Sequence, residues 1–165
     1  MIRKAVSEDS QRIAEIHVFS YRTAFRGILR DKYLFLNLKV ENEGIKYKSA
    51  IENNKIELYV YEEDEIVKGF ITIGKCRDED KKDSFELWGI YVEPLMMNIG
   101  IGTKLLEYCE KIAVEQKYNE NMLWVFEENK IARRFYEKHG YFLDGKEDVM
   151  PNSPIKIVRY IKYLK

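Results

Sequence analysis

The sequence predicts an α/β fold, and three observations carry the prediction. Apolar runs of strand length alternate with amphipathic stretches of helix length along the chain. The apolar run Phe85 to Val92 leads through a glycine-bearing loop into the amphipathic stretch Thr103 to Gln116. A second apolar run, 122–126, passes into another helical stretch that closes at Gly140.

Residues 2–6 read as a short strand, and Ser7 and Ser10 offer N-caps for a helix running to about Phe25. Ile13, Ile16, His17, Ser20 and Ala24 fall near one face of it, and Gly27 ends it. Asp31 opens a second helical piece through Leu38, and 41–53 suits a third. Ile56 to Tyr61 and Ile66 to Ile73 form a hairpin about the polar turn 62–65. The wholly charged segment 77–83 reads as a solvated loop. Phe85 to Val92 is apolar on both faces except at Glu86, as in a central strand, and Gly89 suits a bulge. In the helix after it, Leu105, Leu106, Cys109, Ile112 and Ala113 share the buried face. Glu127 and Glu128 favour a helix start, and Ile131, Ala132, Phe135, Tyr136 and His139 share one face. Tyr141–Leu143 and the alternating segment Ile155–Leu164 are the last strands.

At 165 residues the expectation is one domain, 1–165. Lys plus Arg and Asp plus Glu number 28 each, so no net field draws the chain to nucleic acid or an anionic membrane. No apolar run is long enough to span a bilayer, and Met1 to Val6 lacks the apolar core of a signal peptide. A cytoplasmic location is expected, with Cys76 and Cys109 as free thiols; neither is spaced as a metal ligand. His17 and His139 read as packed or surface side chains. Apolar strands near the C-terminus leave monomer and homodimer both open.

The loop Met97-Asn98-Ile99-Gly100-Ile101-Gly102-Thr103 aims helix N-terminal N–H groups at whatever lies beyond the strand. Such a turn seats a pyrophosphate or similar anion. A Rossmann fingerprint would need a third glycine where Leu105 stands, and a Walker loop would need Gly-Lys-Ser/Thr where the order is Gly102-Thr103-Lys104. The second segment has Asn129, Ala132, Phe135 and Tyr136 in the pattern Asn-x-x-Ala-x-x-Phe-Tyr, then Lys138-x-Gly140-Tyr141. The first pattern resembles the acetyl-CoA loop, Gln/Arg-x-x-Gly-x-Gly/Ala, of the GNAT N-acetyltransferases; the second resembles that family's later motif. Met97 stands where the family favours Gln or Arg, and Asn98 where Gly is frequent.

The resemblance implies a mixed central sheet of about six to seven strands flanked by helices and splayed between the fourth and fifth. It implies acetyl transfer from acetyl-CoA to an amine of a small molecule or peptide by direct attack, with no metal. The alternative is a CoA-binding sensor or scaffold of the same fold. Residues 97–103 would take the pyrophosphate, and backbone at Ile90, Tyr91 and Val92 the pantetheine arm, with Asn129 and Ala132 beside it. Asn129 reads equally as a helix cap. The amine must lose a proton, and Glu86 reads either as the base, directly or through a water, or as partner of a basic side chain on a neighbouring strand. Tyr136 reads as hydrogen-bond donor to the leaving thiolate or as a core aromatic. Tyr21 and Phe25, with Glu86, are the expected acceptor-site residues.

Overall fold

The computed structural model describes residues 1–165. The elements are β1 (Ile2–Lys4), α1 (Ser10–Ala24), α2 (Val40–Glu52), β2 (Glu57–Glu63), β3 (Ile66–Lys75), β4 (Phe85–Val92), α3 (Ile101–Glu115), β5 (Glu120–Phe126), α4 (Lys130–Lys138), β6 (Phe142–Val149) and β7 (Lys156–Tyr163). The strands form one mixed sheet in the order β1-β2-β3-β4-β5-β7-β6. The chain divides into two compact units, Met1–Ile73 with Gly89–Cys109 and Gly74–Trp88 with Glu110–Lys165.

In the first unit, β2 pairs antiparallel with β1 and with β3, with an irregularity between Tyr61 and Glu62. Asp9 fixes the start of α1: its carboxylate takes two hydrogen bonds from Arg3, at 2.7 and 2.9 Å, and one from the Val6 N–H at 2.9 Å. Burial pushes the Asp9 carboxyl up, but these donors outweigh it and hold it below the usual range. Ile13 and Ile16 face inward from α1 onto Ala5, Leu58, Val60, Val67 and Phe70. Each fully buried side chain of this size contributes about 1.5–3 kcal/mol. Arg12 reaches Glu93 at 2.8 Å and the Val67 carbonyl at 3.1 Å, and Ser20 donates to the Val92 carbonyl at 3.1 Å. The segment Tyr33–Asn37 is a π-helical turn, tied to α1 by Arg22 donating to the Leu34 and Leu38 carbonyls.

In the second unit, β4 and β5 pair in parallel at Phe85↔Asn121 and Glu86↔Met122. β7 lies between β5 and β6, antiparallel to both. With neighbours on both sides it buries four consecutive residues, Val158, Arg159, Tyr160 and Ile161. The alternation expected for this strand is therefore absent. Arg159, 3% exposed, is held at 2.7–2.9 Å by Asp78, Asp80 and Asp144. Segment 77–83 is thus anchored rather than merely solvated: Lys81 also pairs with Glu120 at 2.9 Å.

Candidate active site

The turn before α3 is the first component, and it lies wholly in the first unit. Asn98 has φ of 65° and Gly100 of 89°. Asn tolerates this left-handed region better than most residues, and Gly adopts it freely. Two such residues reverse the chain within a few positions and deliver it into the helix. Helical bonding opens with the Lys104 N–H to the Gly100 carbonyl at 3.1 Å, so the N–H groups of the preceding turn precede the ladder. Asn98, Ile99 and Gly100 are exposed, Met97 less so, and Ile101 is buried as an anchor. Thr103 continues the first turn of α3.

The end of β4 in the same unit carries Ile90, Tyr91 and Val92, all half-buried. A Cβ on Gly89 would lie 2.8 Å from the Tyr91 ring, so the glycine makes room for that side chain. The Tyr91 ring packs on Phe70 at 4.9 Å between centroids and on His17 at 5.3 Å. Tyr21 hydrogen-bonds Tyr91 and meets Phe25 edge-on at 4.6 Å. Burial first, then nearby Tyr33 and Glu43, pushes the Tyr21 phenol up against the Tyr91 hydrogen bond. The two expected acceptor-site aromatics therefore stand together, joined by Tyr91, expected only for its backbone, and by His17, which the sequence did not single out as a site residue.

The remaining predicted residues belong to the second unit. Glu86 is 1% exposed. Its carboxylate accepts from the Arg77 backbone N–H at 2.9 Å, from Nε at 3.1 and 3.2 Å, and from Nη2 at 2.5 Å. The Arg77 guanidinium also lies over the Trp88 ring, 5.0 Å from its centroid, and the side chain is 61% exposed. Its partner comes from the charged loop rather than from a neighbouring strand. Cys76, next to it, is a free thiol pushed up to about 11, chiefly by burial.

α4 begins at Lys130, later than Glu127 and Glu128 suggest, because the Asn129 N–H turns back to the Phe126 carbonyl at 2.9 Å. Asn129 is the N-cap: its Oδ1 accepts from the Ala132 N–H at 3.2 Å. That bond leaves the Nδ2 amide group of Asn129 uncommitted. Tyr136 is buried on the inner face of α4 among Phe135, Tyr141 and Tyr160, with ring centroids 5.4–6.4 Å away. The neighbouring Tyr160 hydroxyl donates to Glu137 at 2.6 Å and accepts from Arg133 at 3.0 Å.

The model of the Acetyltransferase (GNAT) family matches residues 10–141. The chain belongs to the GNAT family. It is an acyltransferase of the N-acetyltransferase class. An uncharacterized N-acetyltransferase of Bacillus subtilis, YuaI, is 30% identical over 129 residues, 78% of this chain and 72% of its own. A spermidine N(1)-acetyltransferase of Thermoplasma acidophilum is 25% identical over 159 residues, 90% of this chain and 94% of its own. Among solved GNAT structures, the PaiA N-acetyltransferase of Thermoplasma acidophilum in complex with coenzyme A superposes with a TM-score of 0.78 at 23% identity, covering 96% of each chain. YncA of Salmonella typhimurium with acetyl-CoA gives 0.72 at 19% identity, covering 100% of this chain and 94% of the other. No helix of this GNAT chain is long and apolar enough to cross a membrane.

Proposed function

We propose that the chain moves the acetyl group of acetyl-CoA to an amine of a small molecule or peptide by direct attack, in the cytoplasm. The left-handed turn at Asn98 and Gly100, running into α3 at the place of the family's acetyl-CoA loop, carries this reading. N–H groups of 97–103 receive the pyrophosphate. Backbone at Ile90, Tyr91 and Val92 pairs with the peptide-like pantetheine arm, and the Asn129 amide, beside Ala132, donates to it.

The amine lone pair attacks the thioester carbon, the carbon–sulfur bond breaks, the extra proton on the new amide nitrogen passes to solvent, and the sulfur leaves as a thiolate. Tyr136 donates a hydrogen bond to it; full transfer from a phenol near 10 to a thiol near 8.5 is uphill by about 2 kcal/mol. An alkylamine near 10.4 is about 4.6 kcal/mol from its neutral form at pH 7. Glu86 takes that proton, directly or through water, once the Arg77 side chain swings aside. The clamp of Arg77 on Glu86 favours one other reading, a CoA-binding sensor or scaffold without catalysis.

The test joins thermal denaturation with and without acetyl-CoA to thiol release across polyamines, aminoglycosides, amino acids and peptides. Heat protection with free CoA appearing for some amine is the expected result. Protection with no thiol release from any amine leaves the scaffold; absence of protection removes both.

A further inference from the structure

α1, α2 and the end of β4 gather five polar or aromatic side chains in the first unit: His17, Tyr21, Glu43, Tyr47 and Tyr91. His17 Nδ1 lies 3.1 Å from the Tyr47 hydroxyl and 3.7 Å from a Glu43 carboxylate oxygen. The other ring nitrogen, Nε2, makes no hydrogen bond within the chain. The ring is flanked by Tyr21 at 4.4 Å and Tyr91 at 5.3 Å, and its side chain is only 13% exposed. The nitrogen is not shut off from solvent, so a ligand group can reach it and take the place of water there.

The chemistry of that ligand follows from the charges nearby. The carboxylate on the Nδ1 side favours the proton there, leaving the lone pair on Nε2. Burial, aided by Lys46 and opposed by Glu43, pushes His17 down to about 4, so at neutral pH the ring stays an acceptor. Burial likewise pushes the Tyr21 and Tyr47 phenols up, keeping both neutral. The charges left are the Glu43 carboxylate and the Lys46 ammonium, 2.6 Å from it on a side chain 70% exposed. The one cation, Lys46, is already matched to Glu43, which leaves an anion only phenol O–H groups beside a carboxylate. A cationic N–H donor finds a lone pair, aromatic rings and a carboxylate behind them.

The nitrogen that is acetylated must be neutral, and a seat that stabilises its charged form would work against attack. The seat therefore suits a second nitrogen. Resting on the acetyltransferase reading, we propose that His17 Nε2, flanked by Tyr21 and Tyr91 and backed by Glu43, receives a non-reacting ammonium group of the acceptor, making the acceptor an aliphatic diamine or longer polyamine.

The experiment compares 1,4-diaminobutane with butylamine, by turnover and by calorimetric binding to the full chain. Wild type is expected to prefer the diamine at least about tenfold in kcat/KM. His17→Phe keeps an aromatic ring without the nitrogen; its diamine KM is expected to rise about tenfold and the selectivity to collapse toward one. Should that variant lose its fold by circular dichroism, Glu43→Gln is expected to weaken diamine binding several-fold. Equal use of the two amines by wild type, or unchanged selectivity in the variants, overturns the proposal while leaving the acetyltransferase standing. If no amine releases CoA, the acetyltransferase reading fails, and calorimetry decides the seat separately: no diamine binding overturns it.

Discussion

Arg77 closes over Glu86 with both its side chain and its own backbone N–H, so one residue supplies every hydrogen bond the carboxylate receives. The carboxylate is buried while the guanidinium is largely in solvent. Removing the arginine side chain leaves Glu86 with a single donor. Arg77→Ala is expected to cost about 1–3 kcal/mol in urea unfolding, the exposure of Arg77 keeping the figure below that of a fully buried pair. Glu86→Gln separates the roles. If Glu86 is the base, kcat falls at least about tenfold; a loss of stability alone makes the carboxylate a structural partner.

His17 predicts a pH dependence of stability. Its folded-state value, about 4, lies below the ordinary 6.5, so the unfolded chain takes up the proton first. The contribution is fully present above pH 6.5 and is lost as pH falls from there through about 4. The full span is on the order of 3 kcal/mol. Denaturant unfolding at pH 7 and pH 5 should show the loss in wild type, and His17→Phe should flatten the slope in that window. Asp9 and Asp80, both held low, lose their contributions only at more acid pH.

Asn129 has one side-chain oxygen in the cap and one amide group outside it. Asn129→Ala is expected to destabilise by about 1 kcal/mol and to weaken CoA binding. Asn129→Asp keeps the cap oxygen and removes the donor. It should therefore retain the melting temperature yet bind CoA less tightly by calorimetry.

Tyr136→Phe keeps the buried ring and deletes the hydroxyl. The expected result is a melting temperature within a few degrees of wild type and a kcat lower by about 10²-fold in thiol-release assays. A variant with wild-type kcat would reduce Tyr136 to packing.

Much of this molecule was legible because periodicity records burial. β4 has the predicted bounds, Phe85–Val92, since a run apolar on both faces has few alternatives to a central strand. Leu105, Leu106, Cys109 and Ala113 are buried as the helical spacing requires, and Ile112 is half-buried. The strand after Gly140 reaches Val149, beyond the expected Leu143, because pairing with β7 resumes at Glu147 after an irregularity. What escaped were contacts made by residues distant in sequence or hidden in charged segments. Arg77 sat in a run of seven charges, where nothing marks one cation as the partner of a strand carboxylate. Arg159 broke an alternating pattern that only its three aspartates make tolerable inside the sheet. His17 was readable as an inward-facing side chain, but the unmatched nitrogen depends on where α2 places Tyr47 and Glu43.

The aspartate triplet around Arg159 constrains the order in which this family member can diverge. Losing the arginine first would strand three like charges at close quarters, Asp144 and Asp78 among them well shielded from water. Losing the more exposed Asp80 first removes only one of three anions and leaves the cation matched. Neutral drift at these four positions is thus epistatic: the acids on the loop can change one at a time, and the arginine only after them.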